Sequence, residues 1–117
     1  MTLLTITVVV LALAAIGGWF VGIRHLLQKD VGIVLGIGHG VAAAAGVVLL
    51  IVAMAEAISG TLVLVALILF LGSSLGGFLL FTMHLRRRPL PMMITLGHGV
   101  ATTTAFVLVL IRVVQVA

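Results

Sequence analysis

Apolar residues run through four long stretches of the chain, and three short polar breaks separate them. The stretches cover Leu3–Ile23, Val31–Ala55, Thr61–Met83 and Pro91–Ile111. Each is close to the roughly 20 residues that a helix needs to cross about 30 Å of hydrocarbon. Because all three breaks are short, consecutive helices must be antiparallel neighbours. The pattern therefore predicts an all-α fold, a four-helix transmembrane bundle made of two tandem helical hairpins.

The composition supports a location in the lipid bilayer and favours a single domain. Of the 117 residues, 64% are hydrophobic and 7% are charged, whereas soluble domains carry roughly 25% charged residues. We therefore predict one transmembrane domain over residues 1–117. The absence of cysteine excludes disulfides, thiolate metal ligands and haem attached through a CxxCH motif.

The basic residues predict how the bundle lies in the membrane. Five of the six cationic side chains flank or fill the first and third breaks, and only Arg112 lies at the opposite end. These five are Arg24, Lys29, Arg86, Arg87 and Arg88. Because cytoplasmic loops carry the excess of Lys and Arg, we expect these two turns in the cytoplasm and both termini outside, in a bacterial inner membrane. The same placement accounts for the net charge of +4 without a nucleic-acid partner.

An internal repeat relates the two hairpins. A shift of 59 residues places the segment Gly38-His39-Gly40-Val41-Ala42 on Gly97-His98-Gly99-Val100-Ala101 without a gap. The repeats cover about residues 1–58 and about residues 60–117. Since each repeat holds two helices, we expect a pseudo-two-fold axis along the membrane normal. All four histidines fall in equivalent columns, and this is the strongest functional signal in the sequence.

The candidate metal ligands are these four histidines, His25, His39, His84 and His98. All four lie in the half of the bilayer that contains the basic turns, and the tilt of helical side chains brings their imidazoles to a common level. His39 and His98 lie about 12 Å inside with no acidic partner. A zinc site or proton relay usually recruits a carboxylate. Paired neutral imidazoles instead suit the two axial positions of a haem iron.

Small and basic residues accompany the histidines and complete the candidate cofactor site. Gly18 and Gly77 lie on the helix faces of His25 and His84. Such glycines serve either close helix packing or the approach of a flat macrocycle to the backbone. Haem propionates need cationic partners, and the candidates at this end are Arg24, Arg86, Arg87 and Arg88. Membrane topology alone is also a sufficient explanation for these arginines.

With these residues the chain resembles the membrane-embedded b-type cytochromes, such as the cytochrome b561-like and respiratory cytochrome b proteins. The resemblance covers the four-helix plan and two histidine pairs, each separated by 13 residues. In respiratory cytochrome b both histidines of such a pair lie on one helix, whereas here a charged turn separates them. The resemblance implies haem b, bis-histidine ligation and electron transfer with quinone, superoxide or a redox protein. It leaves open whether the chain is itself an oxidoreductase.

Two ligand pairings are compatible with the sequence. Helices joined by a tight turn pack about 8–10 Å apart, too close to hold a haem between His25 and His39 or between His84 and His98. The favoured model has two haems held by cross-repeat pairs, His25 with His98 and His84 with His39. The alternative is a single haem between His39 and His98, with His25 and His84 serving its propionates.

Other functions remain open from the sequence. A histidine-dependent metal or proton transporter is one, although the first helix lacks the glutamate on which small multidrug exporters rely. A structural subunit of a larger respiratory complex is another. The long apolar faces also permit a homodimer. The hydroxyl-rich segments at Ser73-Ser74 and Thr102-Thr104 either bond to carbonyls of their own or neighbouring helices, or line a pocket for a quinone or small oxidant.

Overall fold

The computed structural model describes all 117 residues and contains four α-helices and no strands. The helices are α1 (Leu3–Leu26), α2 (Ile33–Glu56), α3 (Thr61–Leu85) and α4 (Met92–Val116). Each is long and apolar enough to cross a membrane, which confirms the predicted all-α four-helix fold. Both α1 and α3 continue past the apolar stretches, so that His25 and His84 lie in their last helical turns.

The two hairpin turns at the basic end have the same backbone geometry. Each contains one residue with positive φ, Gln28 at 55° and Arg87 at 53°. The amide of each donates to a carbonyl of the last helical turn, that of His25 in the first hairpin and that of His84 in the second. A residue with left-handed backbone just past the end of a helix allows the amides that follow to bond to the last carbonyls of the helix. Both hairpins therefore reverse direction by the same local motif.

The helices form a square bundle in which sequence neighbours are adjacent. Within the hairpins α1 packs along α2 and α3 along α4, and between the hairpins α1 meets α4 and α2 meets α3. The diagonal pairs α1 with α3 and α2 with α4 have no Cα atoms within 8 Å of each other. The backbones of diagonally opposite helices therefore stay apart, and only side chains reach into the centre of the bundle between them.

The tightly packed core occupies only one half of the bundle. All 13 buried residues lie before residue 15, between residues 46 and 73, or after residue 104, in what we call the terminal half because it contains both chain ends. Its core consists of Thr7, Leu11, Ala14, Gly46, Leu50, Ala53, Ile58, Val63, Ala66, Phe70, Ser73, Ala105 and Val109. No residue of the segments 15–45 and 74–104, which we call the histidine half, is buried.

Glycine content explains the difference in packing. Eleven of the 14 glycines lie in the histidine half, where they contribute no side-chain volume. Leu50 and Val63 in the terminal half are fully enclosed, whereas every inward position of the histidine half keeps some exposed surface. The chain's own side chains therefore close the terminal half and pack the histidine half loosely.

Candidate functional site: a histidine pair on the bundle axis

The imidazoles of His39 and His98 meet at the centre of the bundle. His39 belongs to α2 and His98 to α4, the two helices of one diagonal. Their ring centroids are 6.3 Å apart and their planes are inclined by 89°. Because the backbones of this diagonal stay apart, the two side chains reach toward each other across the axis.

Equivalent hydrogen bonds hold the two imidazoles. Nδ1 of His39 is 3.0 Å from the carbonyl oxygen of Ala14 on α1, and Nδ1 of His98 is 2.9 Å from that of Ser73 on α3. A carbonyl oxygen only accepts, so each Nδ1 must carry the proton and donate. Each Nε2 then keeps its lone pair. Metal-binding histidines are oriented in this way, by a hydrogen bond from the ring nitrogen that does not bind the metal.

A glycine lies beside each ring, where a Cβ atom would crowd the imidazole. A Cβ atom placed on Gly18 would lie 2.7 Å from Cε1 of His39, and one on Gly77 would lie 3.1 Å from Cε1 of His98. Both distances are shorter than ordinary carbon contacts of about 3.5–4.0 Å. The two glycines that the sequence placed on the faces of His25 and His84 thus support the rings of the other two histidines.

His25 and His84 lie on the same inward faces, further toward the basic turns. Inward positions of α1 and α3 recur at alternating spacings of three and four residues, as in a helix–helix seam. They are Thr7, Leu11, Ala14, Gly18, Val21 and His25 in α1, and Ala66, Phe70, Ser73, Gly77, Leu80 and His84 in α3. The last member of each series is half-buried. We call these series the inward seams.

The expected convergence of four imidazoles is limited to one pair. His25 and His84 lie seven residues beyond Gly18 and Gly77, which is about 10 Å along the helix. No three His, Asp or Glu side chains come close enough to hold a metal ion together. Ring contact joins His39 to His98, whereas the cross-repeat pairs show no such contact. The physical reason is the axial offset, which side-chain tilt does not overcome.

The arginines lie outside the inward seams. Arg24 donates from Nε and Nη2 to the carbonyl oxygen of Asp30, at 2.9 and 2.8 Å, and its guanidinium lies 5.9 Å from the ring centroid of Phe20. The Arg24 side chain therefore stabilises the first turn. The other cationic side chains of this end, Lys29, Arg86, Arg87 and Arg88, are exposed.

The hydroxyl groups near the site mostly bond within their own helices. Ser74 and Thr102 donate to carbonyl oxygens one turn back, at 2.7 and 2.8 Å, as one of the two interpretations predicts. Thr103 differs, because its hydroxyl accepts from Nε1 of Trp19 at 2.9 Å. This bond links α1 to α4 beside the histidine pair.

A groove of about 500 Å³ runs along α3 and α4 next to His98. Small residues account for it, and the smallest are Gly72, Gly76, Gly97 and Ala101. In the first hairpin Leu13 occupies the position equivalent to Gly72. The two hairpins therefore differ on their outer faces although they present the same inward contacts to the histidine pair.

The sequence did not predict that Ala14 and Ser73 accept the hydrogen bonds of the two imidazoles. They act through backbone carbonyls, and their side chains carry no signal for that role. Only their equivalence under the 59-residue shift connects them.

A scan against protein-family models, a search of curated proteins and a search of solved structures each gave no match to the chain. The geometry of the histidine pair is therefore the basis on which its function can be argued.

Proposed function

We propose that this chain is a membrane-bound b-type cytochrome that binds one haem b between His39 and His98 and transfers electrons. The observation that carries the proposal is the 6.3 Å separation of the two ring centroids. A metal–imidazole bond is about 2 Å long, and the ring centre lies roughly 1 Å beyond the nitrogen, so two opposed ligands of one metal have ring centres about 6 Å apart. His39 and His98 are thus spaced as two imidazoles that would hold one haem iron between them.

The donor set also fits a haem better than a bare metal ion. A protein zinc site uses three or four ligands, and no third histidine or carboxylate lies near enough to this pair. Two neutral imidazoles suffice when a porphyrin supplies the other four nitrogens. The hydrogen bonds from Nδ1 leave Nε2 available in both rings.

The packing of the histidine half supports a planar ligand. This half has no buried residue and contains most of the glycines, and two of these glycines, Gly18 and Gly77, border the rings of the pair. The ligands come from diagonal helices, which do not pack directly on each other. One haem between His39 and His98 satisfies these contacts, and we therefore propose one haem rather than the two cross-repeat haems that the sequence favours.

The haem supplies one-electron chemistry, and the chain supplies its ligands and their orientation. The carbonyls of Ala14 and Ser73 fix the tautomer of each imidazole and raise its basicity toward the metal. We propose an orientation with the basic turns in the cytoplasm and both termini outside, in a bacterial inner membrane. Because the pair lies in one half of the bundle, a quinone, superoxide or a redox protein has to complete the electron route.

Absorbance spectra of the protein purified from haem-replete cells test the proposal. We expect a reduced-minus-oxidised spectrum of six-coordinate b haem, and one haem per chain in a pyridine haemochrome assay. His39→Ala and His98→Ala should abolish this spectrum. The matched controls are Val41→Ala and Val100→Ala, since these repeat-equivalent side chains are 64% and 65% exposed, two residues from each ligand.

Three outcomes would contradict the proposal in different ways. A colourless wild-type protein would refute the cytochrome function, and transport would then be the first alternative to test. Two haems per chain would refute the single pair and restore His25 with His98 and His84 with His39. Retention of the full spectrum in both alanine variants would refute ligation by His39 and His98.

A further inference from the structure

His25 and His84 are half-buried imidazoles without a partner in the chain. The rings of His39 and His98 bond to backbone carbonyls, whereas those of His25 and His84 make no hydrogen bond within the protein. Both occupy the last position of an inward seam. No buried side-chain nitrogen or oxygen of the chain lacks a partner, so the ring nitrogens of His25 and His84 remain accessible. Two accessible imidazoles in equivalent inward positions form a candidate pair of ligand-binding groups.

No other titratable side chain lies on the inward faces at this level. Between their first residues and the histidine pair, α2 and α4 carry none. On the adjoining turns Arg24 is bonded to the Asp30 carbonyl, and the remaining charged groups are exposed. These are Lys29, Asp30, Arg86, Arg87 and Arg88. His25 and His84 are therefore the titratable groups that face the interior between the site and the basic turns.

We propose that His25 and His84 bind the two carboxylates of the haem, one each, and so orient its acidic edge toward the basic turns. The inference rests on the proposed haem site. Two equivalent imidazoles match two carboxylates on one cofactor, and an imidazole N–H donates a hydrogen bond that the charge of a carboxylate strengthens. In this arrangement the arginines do not bind the cofactor. Their positive charges orient the chain in the membrane, and Arg24 also stabilises the first turn.

Comparison of haem with its dimethyl ester isolates this interaction, because the ester keeps the iron and the ring and loses both negative charges. The full-length apoprotein in detergent is titrated with each compound. We expect wild type to prefer haem by about tenfold or more per carboxylate. His25→Ala and His84→Ala should each reduce that ratio about tenfold, and the double variant should remove it, while affinity for the ester stays unchanged in all of them.

A charge control and a conservative double variant complete the design. Lys29→Ala removes an exposed charge from the same end and should leave the ratio at its wild-type value. His25→Gln with His84→Gln keeps a neutral donor of similar reach, so that the fold is preserved and an intermediate ratio is expected. A wild-type ratio in both double histidine variants would overturn the carboxylate assignment and leave the haem site intact. Wild type that binds neither compound would refute the haem site and this inference together.

Discussion

Gly18→Ala is the most direct perturbation of the histidine pair that leaves both ligands in place. The added Cβ would lie 2.7 Å from Cε1 and 3.2 Å from Nδ1 of His39. Since carbon atoms pack at about 3.5–4.0 Å, either the ring or α1 has to move by about 1 Å. The hydrogen bond from Nδ1 to Ala14 is 3.0 Å long, and such a displacement would stretch it beyond the usual range.

The expected cost follows from the geometry. Forcing one methyl group into a packed contact costs about 1–3 kcal/mol. If the ring is displaced from its ligating position, haem affinity should fall roughly 5- to 150-fold. Gly77→Ala should have a smaller effect, because its Cβ would lie 3.1 Å from Cε1 of His98.

Gly22→Ala is the matched control. It lies one turn further along α1, and a Cβ there meets nothing within 4 Å. Alanine also has the higher helix propensity, by about 1 kcal/mol, so this variant should bind haem as wild type does. The assay is titration of each apoprotein with haem, together with unfolding in detergent followed by circular dichroism. Equal haem affinity of the Gly18→Ala and Gly22→Ala proteins would refute the contact on which the reasoning depends.

Three further predictions concern packing and test the fold rather than the cofactor, by unfolding in detergent. Leu50→Ala should destabilise by about 2–5 kcal/mol, since Leu50 is fully buried; a loss below about 1 kcal/mol would contradict a closed terminal half. Gly46→Ala should cost about 1–3 kcal/mol, because its Cβ would lie 2.6 Å from Cδ2 of Leu11, and Leu11→Ala in the same chain should relieve that clash. Trp19→Phe and Thr103→Ala should each lower the free energy of unfolding by about 0.5–1 kcal/mol, because each removes the same hydrogen bond. If the double variant loses as much stability as the two single variants together, the two side chains do not interact.

The fold followed from the sequence because hydropathy over about 20 residues is a strong signal for a spanning helix. The helix ends were less accurate. Hydropathy ends the first and third stretches at Ile23 and Met83, yet the helices continue to Leu26 and Leu85. Backbone hydrogen bonds do not depend on side-chain polarity, so a helix can extend through the cationic residues that end an apolar stretch.

The site was predictable in its residue types but not in its pairing. The repeat identifies the columns of His39 and His98, and the helical period identifies the faces that they share with small residues. Which diagonal brings its side chains together depends on how the two hairpins rotate against each other. That rotation is set by contacts between the hairpins, such as the hydrogen bond from Trp19 on α1 to Thr103 on α4, and these contacts leave no periodic trace in the sequence.

The unequal packing of the two halves implies an order of assembly. Contacts in the terminal half involve only the chain, so the two hairpins can associate there as soon as both are inserted. The histidine half gains little from such contacts, and its local opening therefore costs less than unfolding of the whole bundle. The proposed haem would then enter, exchange or be lost from the side of the basic turns while the opposite end keeps the four helices in register. In amide hydrogen exchange this difference would appear as protected amides around Leu50 and Val63 and earlier exchange around Gly36 and Gly97.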